Sequence, residues 1–153
     1  MLNNHPYREF PMRQSLTALL ALTVIFGSPC AFADVLSFHT VLSGTKEKVP
    51  NDTAASGQAW VKLDTATQIA TYRIEFTGLS SPTTKVHFHG LKLPGMTAPE
   101  VIMMHLGAAS PVTGSMHLTD QQILELKHGD WYANVHTEKY PDGEIRGWLV
   151  AAP

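Results

Sequence analysis

The segment QIATYRIEF, residues Gln68–Phe76, decides the fold class because its apolar and polar residues alternate. Such a period of two is typical of a strand with one buried and one solvent-facing side. The preceding segment GQAWVKLD, Gly57–Asp64, shows the same period. The polar residues DTATQ join the two segments and suit a hairpin connection. The sequence therefore predicts a pair of antiparallel strands here.

Other short segments have the same strand character. They are Leu36–Leu42, Lys85–His89, Val101–Leu106, Trp131–Thr137 and Glu144–Val150. The turn sequence YPDG separates the last two, so these should form a second hairpin. Seven short strands separated by turns predict an all-β fold, an antiparallel Greek-key β-sandwich of about seven to eight strands.

One short helix is predicted near residues 120–128. Thr119 can cap its N-terminus, Gln122 stands at the capping-box position, and Gly129 can end it. This helix should close one end of the sandwich.

The first 33 residues have the pattern of a signal peptide. Arg8 and Arg13 precede the apolar run Leu16–Phe26, and the small-x-small site Ala31-Phe32-Ala33 follows. Cleavage is expected near Ala33/Asp34, which leaves residues 34–153 as a single periplasmic or secreted domain. The apolar run is too short for a stable anchor, and no later stretch is longer, so no membrane span is predicted.

Composition narrows the function further. The only cysteine, Cys30, lies in the predicted signal peptide, which excludes disulfides and thiolate metal sites from the exported domain. From Asp34 onward there are nine Lys and Arg against twelve Asp and Glu, a net charge of −3 that argues against nucleic acid as a partner. The sequence has no phosphate-binding glycine loop, so no organic cofactor is predicted. It has no nucleophile motif either, so no catalytic residues are predicted. Glu144 and Arg146 share a strand face and are interpreted as an ion pair that braces the last hairpin.

The motif VHFHG contains the strongest candidate metal ligands. In an extended strand His87 and His89 project from one face, close enough to chelate an ion, while Val86 and Phe88 point to the core. The alternative is that the two histidines are only the polar face of the strand. Further ligands must therefore decide between the two interpretations.

The late strand WYANVHT supplies a third imidazole. Here His136 shares a face with Tyr132 and Asn134, and a structural role in holding a loop is the alternative. His105 is a plausible fourth ligand. The weaker candidates are His117, Met103 and Met116, because thioether together with imidazole favours copper, although methionine also fills cores.

The order of motifs along the chain resembles that of the CHRD domain, named from chordin and found in many bacterial exported proteins. The resemblance rests on VLSGTKEKVP, then VHFHG, then GDWYANVHTEKYPDGEIRGWLV, and it runs from about Phe38 to Val150. It implies an extracellular β-domain. Chordin's cysteine-rich modules are absent, so growth-factor binding does not follow, and both the protein partner and the oligomeric state are left open.

A weaker resemblance is to the copper-zinc superoxide dismutase sandwich, which has an H-x-H pair on one strand and a further copper ligand in a late V-H strand. His87 and His89 match the first element and His136 the second. That family's disulfide and zinc cluster have no counterpart here. The resemblance implies a copper site, with zinc as the alternative, and superoxide dismutation or another copper redox activity as a subset of that hypothesis.

Two hypotheses follow. In the first, the exported domain binds a transition metal, copper rather than zinc, through His87, His89, His136 and His105. In the second, it is a non-catalytic extracellular interaction or structural module without metal, and the histidine motifs tie loops to the sheet.

Overall fold

The computed structural model describes residues 34–90 and 106–153, together with the backbone of 100–102. Nine strands and one α-helix lie in these ranges: β1 Val35–Ser43, β2 Ser56–Asp64, β3 Ile69–Thr77, β4 Thr83–His89, β5 Glu100–Ile102, β6 Val112–His117, α1 Asp120–His128, β7 Tyr132–Thr137, β8 Ile145–Trp148 and β9 Val150–Ala151. A single 3-10 turn, Gly44–Lys46, follows β1. The predicted signal peptide lies outside the described residues.

The predicted hairpin is formed by β2 and β3. The pairing runs without interruption from Ser56 opposite Thr77 to Asp64 opposite Ile69. At the turn, the Asp64 carboxylate accepts hydrogen bonds from the amides of Ala66 and Thr67, at 2.9 and 3.0 Å. An aspartate at this position satisfies the amides that the ladder cannot reach, which fixes the register of the pair.

All strands pair antiparallel, in the order β5-β4-β7-β8-β1-β2-β3-β6, with β9 beside β1. This arrangement confirms the predicted all-β antiparallel fold. The strands on this path form one continuous hydrogen-bonded sheet. Strand β6 was not predicted, because its sequence VTGSMH contains glycine and polar residues and lacks a clear alternation. The predicted final strand Glu144–Val150 is divided into β8 and β9 at the buried Leu149.

The hydrophobic core brings together strands from distant positions in the sheet. Phe88 on β4 packs edge-on against Tyr72 on β3, with ring centroids 5.4 Å apart, and its centroid lies 6.3 Å from that of the fully buried Trp131. Because β3 and β4 lie toward opposite ends of the strand order, this contact requires the sheet to curl around a single core.

The helix has both predicted caps. The Thr119 hydroxyl accepts a hydrogen bond from the amide of Gln122, whose side chain accepts one from the Thr119 amide in return. Gly129 ends the helix in the left-handed conformation, with φ of 80°. Leu126 is the fully buried residue of the helix and joins it to the core. Within the described ranges, no helix has the length and apolar character needed to cross a membrane.

Candidate metal centre

Three histidines meet on the outer face of β4 and β7. The pairing places Lys85 opposite His136 and His87 opposite Asn134. Since side chains alternate along both strands, His87, His89 and His136 all emerge on the face away from the core. The alternation along each strand predicts which histidines share a face, and the pairing of β4 with β7 brings the two sets together.

The ring nitrogens of these histidines lie close together. His87 Nε2 lies 2.6 Å from His136 Nε2 and 3.1 Å from His89 Nε2. One nitrogen from each of the three rings lies within 4.8 Å of the others. All three side chains are buried, with exposed fractions of 2% for His87, 8% for His89 and 9% for His136. This is the only such cluster of potential metal ligands among residues 34–90 and 106–153.

The tautomer of His136 follows from its second nitrogen. Nδ1 lies 2.7 Å from the carbonyl oxygen of Pro141. Because a carbonyl can only accept, Nδ1 must carry the hydrogen and donate it. The Nε2 atom of neutral His136 therefore presents a lone pair toward His87. A ligand histidine that donates its other N–H to a backbone carbonyl is the usual arrangement around bound metal.

The electrostatic environment keeps His87 neutral. Burial, and next the charges that His89 and His136 would carry, lower its pKa from 6.5 to about 3. An imidazole binds metal only in its neutral form, so His87 is in the protonation state that a metal ligand requires. Protonating more than one of these rings would place positive charges in contact in a buried site.

Two of the three nitrogen separations are close to those around a bound metal ion, and the third, between His89 and His136, lies within 4.8 Å. With metal–nitrogen bonds of about 2.0–2.1 Å, two ligand nitrogens lie about 2.9–3.4 Å apart for angles between 90° and 109°. The separation of 3.1 Å between His87 and His89 already lies in this range. The 2.6 Å separation between His87 and His136 must widen by a few tenths of an ångström. Without metal, a hydrogen between these two nitrogens accounts for their close approach.

Asn134 connects the cluster to a buried ion pair. Its amide nitrogen donates to Glu47 Oε1 at 2.6 Å, which directs its carbonyl oxygen to His87 Nε2 at 3.3 Å. Burial raises the pKa of Glu47, and Arg146, whose Nε lies 3.8 Å from Glu47 Oε2, opposes that rise. The prediction that Arg146 pairs with Glu144 is therefore wrong, because Glu144 turns inward while Arg146 meets a carboxylate from the loop after β1.

A close approach of the chain explains the glycine at position 143. A Cβ atom there would lie 2.7 Å from the amide nitrogen of Asn134 and 2.8 Å from the carboxylate of Glu47, and φ is 126°. Only glycine fits both the space and the backbone conformation. The YPDG turn can therefore pass directly over the Asn134–Glu47 pair, which keeps Pro141 within reach of His136.

Aromatic side chains form one wall of the site. The rings of His89 and Tyr132 are stacked, with centroids 4.6 Å apart and an angle of 14° between the planes. The Arg146 guanidinium carbon lies 3.9 Å from the Tyr132 centroid, and Trp148 meets Tyr132 edge-on at 4.9 Å. These contacts hold His89 in its orientation. The histidines form part of the lining of an open groove of about 840 Å³.

The remaining predicted ligands have different positions. His105 and Met103 lie outside the described residues. His117 is exposed at the end of β6, opposite Ile69, and Met116 packs against the core. Neither belongs to the cluster of nitrogens found among the described residues.

A second buried polar cluster was missed by sequence reasoning. Glu144 is fully buried, and its carboxylate accepts hydrogen bonds from Thr53 Oγ1 at 2.6 Å, Ser80 N at 2.9 Å, Ser80 Oγ at 3.1 Å and Thr137 Oγ1 at 2.7 Å. Burial pushes the pKa of Glu144 upward, but the hydrogen bonds outweigh burial and leave the pKa below its ordinary value. The donors come from three separate segments, so local pattern could not identify them.

Comparison with known proteins finds one family. A family model described as CHRD domain matches residues 38–149, which is more than two thirds of the chain. The match includes the histidine motifs of β4 and β7, the loop that carries Glu47, and the final hairpin. No curated protein and no solved structure matches the chain.

Proposed function

Because the chain belongs to the CHRD domain family, an extracellular-type module, we propose that it is exported and binds a transition metal, copper rather than zinc, through His87, His89 and His136. The observation that carries this proposal is that nitrogens of three buried imidazoles lie within 4.8 Å of one another. The Nδ1–H bond from His136 to Pro141 supports it independently, since it leaves Nε2, the nitrogen that faces His87, with a lone pair rather than a hydrogen.

The choice of copper rests on the chemistry of the donors. Three neutral nitrogens suit either copper or zinc, but a nitrogen site binds Cu²⁺ more tightly than Zn²⁺. Three protein ligands leave at least one coordination position for a further group, as at sites where metals meet exogenous ligands. His105 or Met103 from the intervening segment is still proposed as one additional ligand, and the tetragonal geometry of Cu²⁺ keeps a position open beyond four ligands. Metal binding is the proposed function, and no catalytic residue is assigned.

The proposal is tested by titrating untagged, metal-free protein with Cu²⁺ in competition with a chelator of known affinity. We expect one equivalent to bind, and a His87→Ala/His89→Ala variant to lose roughly a thousandfold or more in affinity, since losing two of three ligands removes a large share of a binding free energy that is about 10–16 kcal/mol at structural zinc sites. A parallel titration with Zn²⁺ should give weaker binding. Elemental analysis of the native protein should show the metal it carries.

The matched control removes two histidines elsewhere. His39 bonds to Gln58 on the outer surface, and His128 is exposed at the end of α1, so a His39→Ala/His128→Ala variant should retain copper affinity. Equal copper affinity in His87→Ala/His89→Ala and the unmodified protein would refute the proposal.

A metal-free structural module is the second candidate, and the hydrogen bonds among the same residues favour it. The bond from His136 to Pro141 and the contact between His136 and His87 tie the β7–β8 turn to the sheet. This alternative predicts that the site variant melts at a lower temperature than the control variant. It also predicts negligible metal in both.

A further inference from the structure

The groove above the histidines has room for much more than a metal ion. Its volume is about 840 Å³, and pockets of about 300–1,000 Å³ are the size that holds small organic ligands. The three histidines belong to the buried part of its lining, together with Glu47, Tyr132 and Asn134. A molecule in the groove would therefore have its inner end at the open coordination position of the metal.

The charge of the proposed centre calls for an anion. Three neutral imidazoles leave a divalent ion with its full charge, and the described ligand cluster contains no carboxylate. The nearest lining carboxylate, Glu47, is already engaged by Asn134 and Arg146. The other, Asp142, lies on the exposed turn. A buried cation without a protein counter-charge favours an anionic ligand from solution.

The rim of the groove adds positive charge to that of the metal. Lys48, Lys85 and Lys139 line it together with Arg146. Lys85 shares a strand face with His87 and stands opposite His136. Lined by four cations against two carboxylates, the groove attracts anions.

The walls of the groove are apolar and aromatic. Trp148, which is 46% exposed, forms one side beside the buried Tyr132, and Tyr140 and Pro141 belong to the turn that borders the site. A small inorganic anion would leave these surfaces in contact with water. An organic anion would bury them, at a gain of about 25 cal/mol for each Å² of apolar surface.

We infer that the groove binds a small organic carboxylate, whose anionic end meets the metal and whose apolar body lies against Trp148. This inference rests on the proposed metal site and extends it by naming the chemical class of a second ligand. The lysines on the rim attract the carboxylate, and the aromatic wall selects for its body.

Benzoate is a direct probe, with acetate and benzamide as its two matched controls. Acetate keeps the carboxylate without the ring, and benzamide keeps the ring without the charge. Calorimetry and the visible absorption of copper-loaded protein should show that benzoate binds more tightly than acetate and that benzamide does not bind. Metal-free protein should not bind benzoate. Equal affinity for acetate and benzoate, or equal affinity of metal-free and copper-loaded protein for benzoate, would overturn the inference.

A variant in which two lysines are neutralised tests whether the positive charge at the rim of the groove contributes to binding. Lys85→Gln/Lys139→Gln should weaken benzoate binding about three- to tenfold, as expected for the loss of two partly exposed ion pairs, while the protein still binds copper. Lys62→Gln is the matched control, because Lys62 is exposed on β2 and is not part of the groove lining. Unchanged benzoate affinity in the double variant contradicts the inference and leaves the metal proposal intact. Absence of copper binding to unmodified protein would instead refute the metal proposal.

Discussion

Two buried polar clusters flank the β7–β8 hairpin, and they satisfy their polar atoms in opposite ways. Around Glu144, four donor groups face the two oxygens of one carboxylate, so donors and acceptors match. In the histidine cluster, nitrogen faces nitrogen across 2.6 and 3.1 Å. A matched cluster is complete without any ligand, whereas facing nitrogens need a shared hydrogen or a cation between them.

This difference separates a structural role from a binding role. Burying a charged carboxylate is tolerable when several hydrogen bonds replace its water, and Glu144 then joins three distant segments of the chain. Burying three imidazoles that face one another contributes little to folding, since at most one hydrogen bond can connect each facing pair. We therefore expect perturbations of Glu144 to change stability and perturbations of the histidine cluster to change metal affinity.

The largest expected effect on stability comes from Glu144→Ala. The change leaves buried donors on Thr53, Ser80 and Thr137 without their acceptor, and loss of such a network costs about 3–5 kcal/mol. Urea denaturation of both proteins should show this decrease in the free energy of unfolding. Copper affinity of the folded variant should be unchanged, and a large loss of copper affinity with intact stability would reverse the roles assigned to the two clusters.

The pH dependence of stability tests the same carboxylate in a second way. Because the folded-state pKa of Glu144 is held below the ordinary value of 4.5, its stabilising contribution is fully present above that pH and is lost as the pH falls through the folded-state pKa. Glu144→Gln cannot titrate, so its unfolding free energy should fall less steeply below pH 4.5 than that of the unmodified protein. If the unfolding free energies of the two proteins fell equally with pH, Glu144 would not be the group that causes the loss of stability in acid.

Copper should stabilise the protein by an amount between the effects expected for Glu144→Ala and Asn134→Ala. A ligand that binds only the folded state at a concentration 100 times its Kd adds about 2.7 kcal/mol to the free energy of unfolding. Thermal unfolding with and without Cu²⁺ should show this gain in the unmodified protein and none in His87→Ala/His89→Ala. An equal gain in both proteins would mean that copper binds elsewhere.

The smallest expected effect is that of Asn134→Ala. Asn134 does not belong to the converging nitrogens, but its carbonyl oxygen lies 3.3 Å from His87 Nε2 and its amide is held by Glu47. Because this oxygen faces the nitrogen that would bind the metal, it is placed beside the ion, and we expect its removal to lower copper affinity about tenfold, the lower end of the range for groups that support a metal site. Gln58→Ala, which removes an exposed amide that contacts His39, is the control. Unchanged copper affinity and an unchanged copper spectrum would exclude a positioning role for Asn134.

The strands and the helix were predictable to the extent that local pattern encodes them. The segments predicted as Gly57–Asp64 and Gln68–Phe76 became β2 and β3 with boundaries within one residue. The helix followed from Thr119, Gln122 and Gly129 alone, because its caps lie within ten residues. Strand β6 escaped prediction since its pairing with β3, rather than its own composition, makes it a strand.

The candidate site was predictable in part. His87 and His89 share a face by strand geometry, and His136 shares one with Asn134 by the same argument. Glu47 escaped notice, although it lies in the first of the quoted family motifs, because it reaches the site through a loop 87 residues away from Asn134. The interpretation of Glu144 and Arg146 as an ion pair was wrong. Their spacing along one strand does not show that residues from other segments of the chain bind each of them instead.

The sequence by itself determined which residues face the core and which face outward, because a period of two is a property of neighbouring residues in an extended chain. Only the tertiary structure decided that the outward faces of β4 and β7 lie side by side, that Pro141 returns to hold His136, and that lysines surround the opening. The physical reason is that pairing and register depend on contacts between distant segments, whose energies no local pattern contains.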